Sequence, residues 1–269
     1  MRISRPGEIL FAMVLIGLGG WALAHGARSG EFAAFWDGAP RAMPGRGLLG
    51  IATAALTLVC GLGLFVRRFA ALAAGLLALA LILWIALIRV PAAIAHPLEQ
   101  GPWSNMGETA VLVSAALALH SVRKAQAAAG LSLPLSPATG LQAARGAYGL
   151  ALIPFATAHF YYLKETAALV PAWLPAHEVW AAFTGCAYFA AAAAILTGVG
   201  ARLAVVLSAV QMGSFLLLVW APIIAAGATS AFVWSETLLS LALTAAAWVL
   251  AETWPGGWGW RPSRRGAEA

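Results

Sequence analysis

The stretch AHFYYLKETAALVPAWLP (residues 158–175) interrupts two apolar runs with a histidine and two prolines four residues apart. An earlier stretch, AHGARSGEFAAFWDGAPRAMP (residues 24–44), opens with the same Ala-His and closes with the same Pro-x-x-x-Pro. Proline stops a helix and is tolerated in the first turn of the next one, so we expect each stretch to join two helices. The occurrence of the same loop pattern in both halves of the chain suggests an internal repeat.

The match between the halves continues beyond these loops, and its order never breaks. The separation between partners changes little from the first pair, His25 and His159, to the last, Glu108 and Glu236, and small loop gaps would account for the difference. Self-similarity in a fixed order indicates an internal repeat. The other pairs are Pro40 and Pro171, Pro44 and Pro175, Arg68 and Arg202, Pro91 and Pro222, and Trp103 and Trp234.

The composition excludes a soluble domain. Hydrophobic residues make up 62% of the 269 residues, charged residues make up 10%, and the mean hydropathy is +0.85. Soluble domains carry about 25% charged residues. A membrane span needs roughly 20 apolar residues, and FAALAAGLLALALILWIALIRV (residues 69–90) supplies such a run.

Each half contains four apolar segments, so the sequence predicts an all-α polytopic membrane protein with eight transmembrane helices in two tandem four-helix repeats. The first repeat is 1–125, a cytoplasmic linker covers 126–144, the second repeat is 145–253, and 254–269 is a basic cytoplasmic tail. The predicted helices are 9–26, 47–66, 69–90, 107–122, 146–163, 179–199, 202–224 and 235–252. The N-terminus could pass for a signal peptide, but cleavage would delete one helix of a repeated set.

The basic residues predict the orientation. They stand at the ends of apolar runs, which argues against nucleic-acid binding despite the net charge of +6 and indicates membrane sidedness. Lys and Arg mark the cytoplasmic side, so both termini are expected inside, in a bacterial inner (plasma) membrane. The inner set is Arg2, Arg5, Arg67, Arg68, Arg123, Lys124, Arg145, Arg202, Arg261, Arg264 and Arg265, and the outer set is Arg28, Arg41, Arg46, Arg89 and Lys164.

Polar chemistry collects on the predicted outer side. Glu108 and Glu236 each stand near the start of the last helix of a half, just after a Trp. One interpretation is that each carboxylate complements the helix macrodipole. The other is that both line an outer-facing pocket between the halves. The candidate binding residues of that pocket are His25, His159, Glu108, Glu236, His96, Trp103 and Trp234.

The remaining polar positions favour simpler interpretations. Arg89 could pair with Glu108, but snorkelling toward the headgroups is the favoured interpretation. Gln211 is expected to hydrogen-bond a neighbouring helix. Cys60 and Cys186 stand inside apolar runs without a partner spacing, so we interpret them as packing residues. No metal ligand set and no catalytic residue is assigned.

Residues 158–202 resemble the DoxX-like family of integral membrane proteins. The resemblance rests on His159-Phe160, on VPAWLP (residues 170–175), on Gly185 and on RLA (residues 202–204). The first half is similar in His25-Gly26, Pro91, His96-Pro97, Trp103, Asn105 and Glu108. The family pattern places a Glu in the second helix, where this chain has Tyr188. The resemblance implies one four-helix membrane bundle per half, in a family with some relatives linked to quinone-coupled sulfur oxidation or redox homeostasis.

These observations leave three functions open. The first is a redox-associated accessory subunit that binds quinone or lipid, with the electron chemistry done by a partner or cofactor. The second is a membrane scaffold or chaperone without catalysis. The third is a small-solute transporter, and the lack of clear paired helix interruptions in the sequence argues against it. We expect no catalysis by the chain alone. Bound quinone is the candidate cofactor, and membrane lipid and a membrane redox or other protein are the candidate partners.

Overall fold

The computed structural model describes residues 5–26, 36, 38–126, 134–228 and 230–254, and these residues form helices and no strand. The first half contains α1 (Pro6–Trp21), α2 (Arg46–Phe65), α3 (Arg67–Trp84), α4 (Val90–Ala95) and α5 (Gln100–Gln126). The second half contains α6 (Pro137–Tyr161), α7 (Leu163–Ala168), α8 (His177–Thr197), α9 (Ala201–Phe215), α10 (Ala221–Ala225) and α11 (Ala231–Thr253).

Six of the described helical segments are long and apolar enough to cross a membrane. They are Pro6–Ala24, Arg46–Phe65, Arg67–Ala95, His177–Thr197, Ala201–Ala225 and Val233–Thr253. The two other long helices, α5 and α6, have 27 and 25 residues but more polar sequences, so composition does not mark them as spans. An all-helical chain with six such segments fits a polytopic membrane protein.

The linker between the halves is shorter than predicted. Pro137 stands in the first turn of α6, so that helix begins within the predicted linker 126–144. Proline is tolerated there because the N–H it lacks would have no intrahelical partner. Ser136 caps the helix, its hydroxyl accepting a hydrogen bond from the Thr139 N–H at 3.1 Å. Residues 137–144 are therefore helical, whereas 127–133 and the tail 255–269 lie outside the described residues.

The two loops from which the repeat is predicted contain the same turn. The Met43 N–H donates to the Pro40 carbonyl at 3.0 Å, and the Leu174 N–H donates to the Pro171 carbonyl at 2.9 Å. These are the matched Pro-x-x-x-Pro segments of the two halves. The sequence pattern does not predict the short helix α7 within the second loop, and residues 27–35 of the first loop lie outside the described part of the chain.

The long helices pack as a closed ring. Around it, α1 contacts α2, α2 contacts α3, α3 contacts α5 and α5 contacts α6, and the ring continues through α8, α9 and α11 back to α1. Across the middle, α5 also contacts α11. Every residue of α5 from 111 to 121 is buried, so the helix is enclosed by protein on all sides at this level. The fourth long helices of the two halves thus form the centre.

Small residues allow the close approach of neighbouring helices, as is common in membrane bundles. A Cβ at Gly19 in α1 would lie 2.5 Å from the Leu58 nitrogen of α2. A Cβ at Gly61 in α2 would in turn lie 3.0 Å from the Ala12 carbonyl oxygen. These distances leave no room for a side chain.

Two of the long helices contain a π-helical turn in front of a proline. The turn Ile85–Arg89 precedes Pro91, and the turn Leu216–Trp220 precedes Pro222. Proline has no N–H and crowds the carbonyl one turn earlier, and a wider π turn accommodates that defect. Each helix continues through its π turn, from Arg67 to Ala95 and from Ala201 to Ala225, and the two prolines are partners in the predicted repeat.

We expect Gly19→Ala to lower the free energy of unfolding by about 1–3 kcal/mol, because the new methyl group would press against the α2 backbone. Gly17→Ala in the same helix is the matched control, since a Cβ there meets nothing within 4 Å. Thermal unfolding of both variants in detergent, followed by tryptophan fluorescence, measures the difference. Equal melting temperatures would contradict the close packing of α1 on α2.

Candidate functional site

Glu108 and Glu236 lie deeper in their helices than the macrodipole interpretation requires. Because α5 begins at Gln100 and α11 at Ala231, neither carboxylate is in a first turn. The macrodipole effect falls off within the first turn, so that interpretation is wrong for both residues. Groups other than the helix N-terminus must therefore surround these two carboxylates.

Two other charged residues, one of them the buried Arg89, lie near Glu108. The Glu108 carboxyl lies within electrostatic reach of both Glu236 and Arg89. Arg89 is only 2% exposed, and its Nε donates to Thr109 Oγ1 over a long 3.4 Å. The expectation that Arg89 snorkels outward is therefore wrong, because its side chain is enclosed by protein. We call Arg89, Glu108 and Glu236 the charged cluster.

Two backbone features position the Arg89 side chain. Arg89 is the last residue of the π turn Ile85–Arg89 of the third helix, where the helix widens before Pro91. Gly38 lies beside its guanidinium, with a φ of +92°, and a Cβ at Gly38 would lie 2.7 Å from Arg89 Nη1. A side chain at Gly38 would therefore displace the guanidinium.

His159 lies in a different group, formed by Phe155, His159, Tyr188 and Phe215, which we call the aromatic cluster. The His159 ring stacks on Phe215 with centroids 5.9 Å apart and lies 5.4 Å from the Tyr188 ring. Phe155 meets Tyr188 edge-to-face at 5.8 Å. The Nδ1 of His159 lies 2.7 Å from the Phe155 carbonyl. A carbonyl only accepts, so Nδ1 carries the proton and Nε2 of the neutral ring is an acceptor.

Hydrogen-bonded polar residues lie among the same helices. The Tyr148 and Ser208 hydroxyls are 2.8 Å apart and buried. Gln211 Nε2 donates to the Thr184 carbonyl of α8 at 3.1 Å, which confirms the expected interhelical bond, and its side chain also interacts with Tyr188. Sequence reasoning missed Tyr148 and Ser208. The only signal was a tyrosine in the middle of an apolar helix, which is equally typical of ordinary packing.

Phe155 links the aromatic cluster to the helix that carries Glu108. A Cβ at Gly107 would lie 3.3 Å from Phe155 Cε1 and 3.0 Å from the Ala151 carbonyl oxygen, so α5 and α6 touch there. Gln100 Nε2 donates to the Pro154 carbonyl of α6 at 2.9 Å and fixes the same contact nearer the helix start. The two clusters therefore border one interface between the halves.

The other predicted site residues stand apart from both clusters. His96 is exposed and contacts Glu99, with Nδ1 and Oε1 2.9 Å apart. Trp103, in the first turn of α5, is 37% exposed, and its Nε1 donates to the Pro97 carbonyl of the preceding loop at 3.1 Å. Trp234 is 36% exposed. His25 belongs to a π-helical turn, Ala22–Gly26, but its side chain lies outside the described residues.

No family model, no curated protein and no solved structure matches the chain. The resemblance to the DoxX-like family therefore stays an expectation. Among the described residues, no three His, Cys, Asp or Glu side chains come together as a metal site would require. The function has to be argued from the two clusters themselves.

We expect Arg89→Gln to destabilise the protein by about 2–3 kcal/mol, because a half-buried carboxylate would lose its compensating charge. The double variant Arg89→Gln/Glu108→Gln should recover part of this loss, since it removes both charges. Arg68→Gln, an exposed position at the start of α3, is the control and should change little. Strictly additive losses from thermal unfolding would show that Arg89 and Glu108 do not interact.

Proposed function

We propose that this protein is an integral membrane protein of two tandem four-helix repeats that binds a quinone-class or lipid ligand at the predicted outer end of the bundle. In this proposal it resembles the DoxX-like type and acts as a redox-associated accessory subunit, with electrons carried by the ligand and by a membrane redox protein. The aromatic cluster, with its polar edge at the contact between the halves, is the observation that carries the proposal.

The packing order supports the repeat and the eight spans. The contact between α5 and α6 joins the fourth helix of one half to the first helix of the other, and the contact between α11 and α1 does the same in reverse. The third helices carry π turns before Pro91 and Pro222, which are partners in the repeat. Two like-oriented units related by an axis along the membrane normal would produce this arrangement.

The central position of α5 supports its role as a span despite its polarity. A helix surrounded by other helices does not need a lipid-compatible surface, and charged residues within a membrane are tolerated where they face the bundle interior. The positive-inside distribution supports cytoplasmic termini in a bacterial inner membrane. On this orientation the charged cluster lies toward the outer side.

The aromatic cluster has the composition of a site for a flat lipid-soluble ring. Such sites are lined mainly by aromatic and apolar side chains, with a few polar groups that fix orientation. Phe155, His159 and Phe215 are half-buried, so the cluster is not sealed within the core. The Tyr188 hydroxyl could donate to a quinone carbonyl, and His159 Nε2 could accept from a quinol hydroxyl. Glu108 and Glu236 would supply carboxyl groups for proton exchange.

The test is native mass spectrometry of the purified protein, with extraction and identification of bound lipids. We expect a stoichiometric quinone, and we expect Tyr188→Phe to weaken its binding roughly fivefold to tenfold by removing one hydrogen-bonding hydroxyl. Tyr161→Phe, at a 59% exposed position, is the matched control. Glu108→Ala and Glu236→Ala should also reduce quinone binding or quinone-dependent activity.

Two results would contradict the proposal. The first is that the protein contains only ordinary phospholipid and binds no quinone even after quinone is added. This result would show that quinone is not its ligand. Equal quinone binding by the wild type and by the Tyr188→Phe, Glu108→Ala and Glu236→Ala variants would show that neither cluster forms the site.

The paired π turns favour small-solute transport as a second candidate function. Transporter binding sites often lie where helices depart from regular α-helical geometry at corresponding positions of two repeats, and a π turn is one such departure. Transport predicts uptake by protein-containing liposomes above that of empty liposomes over a solute panel, with Glu108→Gln reducing the rate. If protein-containing and empty liposomes take up every solute equally, the protein does not transport the solutes of the panel.

A further inference from the structure

A polar cleft lies at the end of the bundle opposite the charged cluster. It forms where α1 begins and where α5 and α11 end, so it lies at the contact between the two halves. Arg5, Glu8, Arg123, Gln126 and Thr253 contribute polar side chains to its wall. Leu119 and Val122 of α5 add an apolar side.

One guanidinium in this cleft is fixed by a buried carboxylate. Glu8 is only 4% exposed, and it receives two hydrogen bonds from Arg123, one from Nε to Oε1 at 2.7 Å and one from Nη2 to Oε2. Such a two-pronged pair holds the arginine in a defined orientation. The charge of Arg123 is compensated by Glu8, so this pair builds the wall of the cleft without adding net charge.

Arg5 supplies the excess positive charge. Its Nη1 donates to the Glu252 carbonyl in the last turn of α11 at 3.0 Å. A guanidinium has five N–H donors, and the structure gives no second hydrogen bond or ion pair for Arg5 among the residues that it describes. The Glu252 carboxylate is not part of the cleft wall. Its Oε1 is directed to the Gly7 N–H at 3.0 Å and to Trp248 Nε1 at 2.8 Å, and it accepts a hydrogen bond from each.

The donors in the cleft match a phosphate group. Guanidinium and phosphate form strong charge-assisted hydrogen bonds, because the planar donors of arginine fit two phosphate oxygens. Gln126 adds amide donors, since its Oε1 faces Arg123 Nη1 at 3.4 Å while its nitrogen carries two hydrogens. The apolar side formed by Leu119 and Val122 suits the beginning of an acyl chain.

We propose that this cleft binds the phosphate headgroup of an anionic phospholipid, with Arg5 as the residue that recognises its charge. Basic clefts between helices at the cytoplasmic side of a bundle are a known form of anionic headgroup recognition. A lipid bound here would touch α1, α5 and α11 and so would stabilise the contact between α11 and α1 that closes the ring. The site is separate from both clusters of the proposed function.

The experiment uses the full-length protein in mild detergent and phosphatidylglycerol as the anionic probe. Native mass spectrometry measures its retention against phosphatidylcholine, which carries the same phosphate but no net charge. We expect the wild type to retain phosphatidylglycerol in preference to phosphatidylcholine. In Arg5→Gln this preference should fall roughly tenfold, because the variant loses one charge-assisted hydrogen bond to the headgroup. Arg67→Gln, an exposed arginine at the start of α3, is the matched control and should keep the preference.

A thermal-shift series separates lipid from free phosphate. Phosphatidylglycerol should raise the melting temperature of the wild type and not that of Arg5→Gln, whereas millimolar inorganic phosphate should raise neither. An equal shift with inorganic phosphate would overturn the lipid assignment. Equal lipid preference in the wild type and Arg5→Gln would overturn the site, and the melting temperature of Arg5→Gln without lipid shows whether that variant is folded.

Discussion

The enclosure of α5 by other helices is the constraint on which the rest of the structure depends. From residue 111 to residue 121 this helix has no exposed residue, and it contacts α3, α6 and α11. Ionisable groups at membrane depth are costly unless they face a protein interior or a cavity. Glu108 lies just before this enclosed stretch, half-buried, with Arg89 and Glu236 within electrostatic reach of its carboxyl group.

At positions that the proposed repeat makes equivalent, the two halves contain different side chains. In the first half, Trp36 Nε1 donates to Thr57 Oγ1 at 2.8 Å, and the Trp36 ring meets Trp84 edge-to-face at 5.2 Å. At the spacing that separates the matched prolines of the third helices, Thr57 corresponds to Tyr188 and Trp84 to Phe215. Those two residues contact His159, so the second half presents a tyrosine hydroxyl and an imidazole where the first packs tryptophans.

Much of the architecture could be predicted because proline and charge mark helix ends in an apolar chain. Pro40, Pro171 and the basic residues located the loops to within a few residues. The π turns could not be predicted, since a proline near a helix end is compatible with a stop, a kink or a wider turn. The expectation that Arg89 snorkels is wrong because snorkelling requires a side chain that faces lipid. The packing of α3 against α5 determines which side chains face lipid, and the sequence does not show that packing. The aromatic cluster escaped prediction because Phe155 and Phe215 look like ordinary apolar residues.

The central claim is that α5 and α6 cross the membrane although they are more polar than the other long helices. Single cysteines placed at Leu98, Ala138 and Ala172 in a background lacking Cys60 and Cys186 test it, because all three positions are exposed and lie at or beyond the ends of these helices. The measurement is labelling by a membrane-impermeant maleimide in right-side-out vesicles. The account predicts that positions 98 and 172 react and that position 138 reacts only after the membrane is opened. Reaction of all three positions from one side of the intact membrane would contradict it.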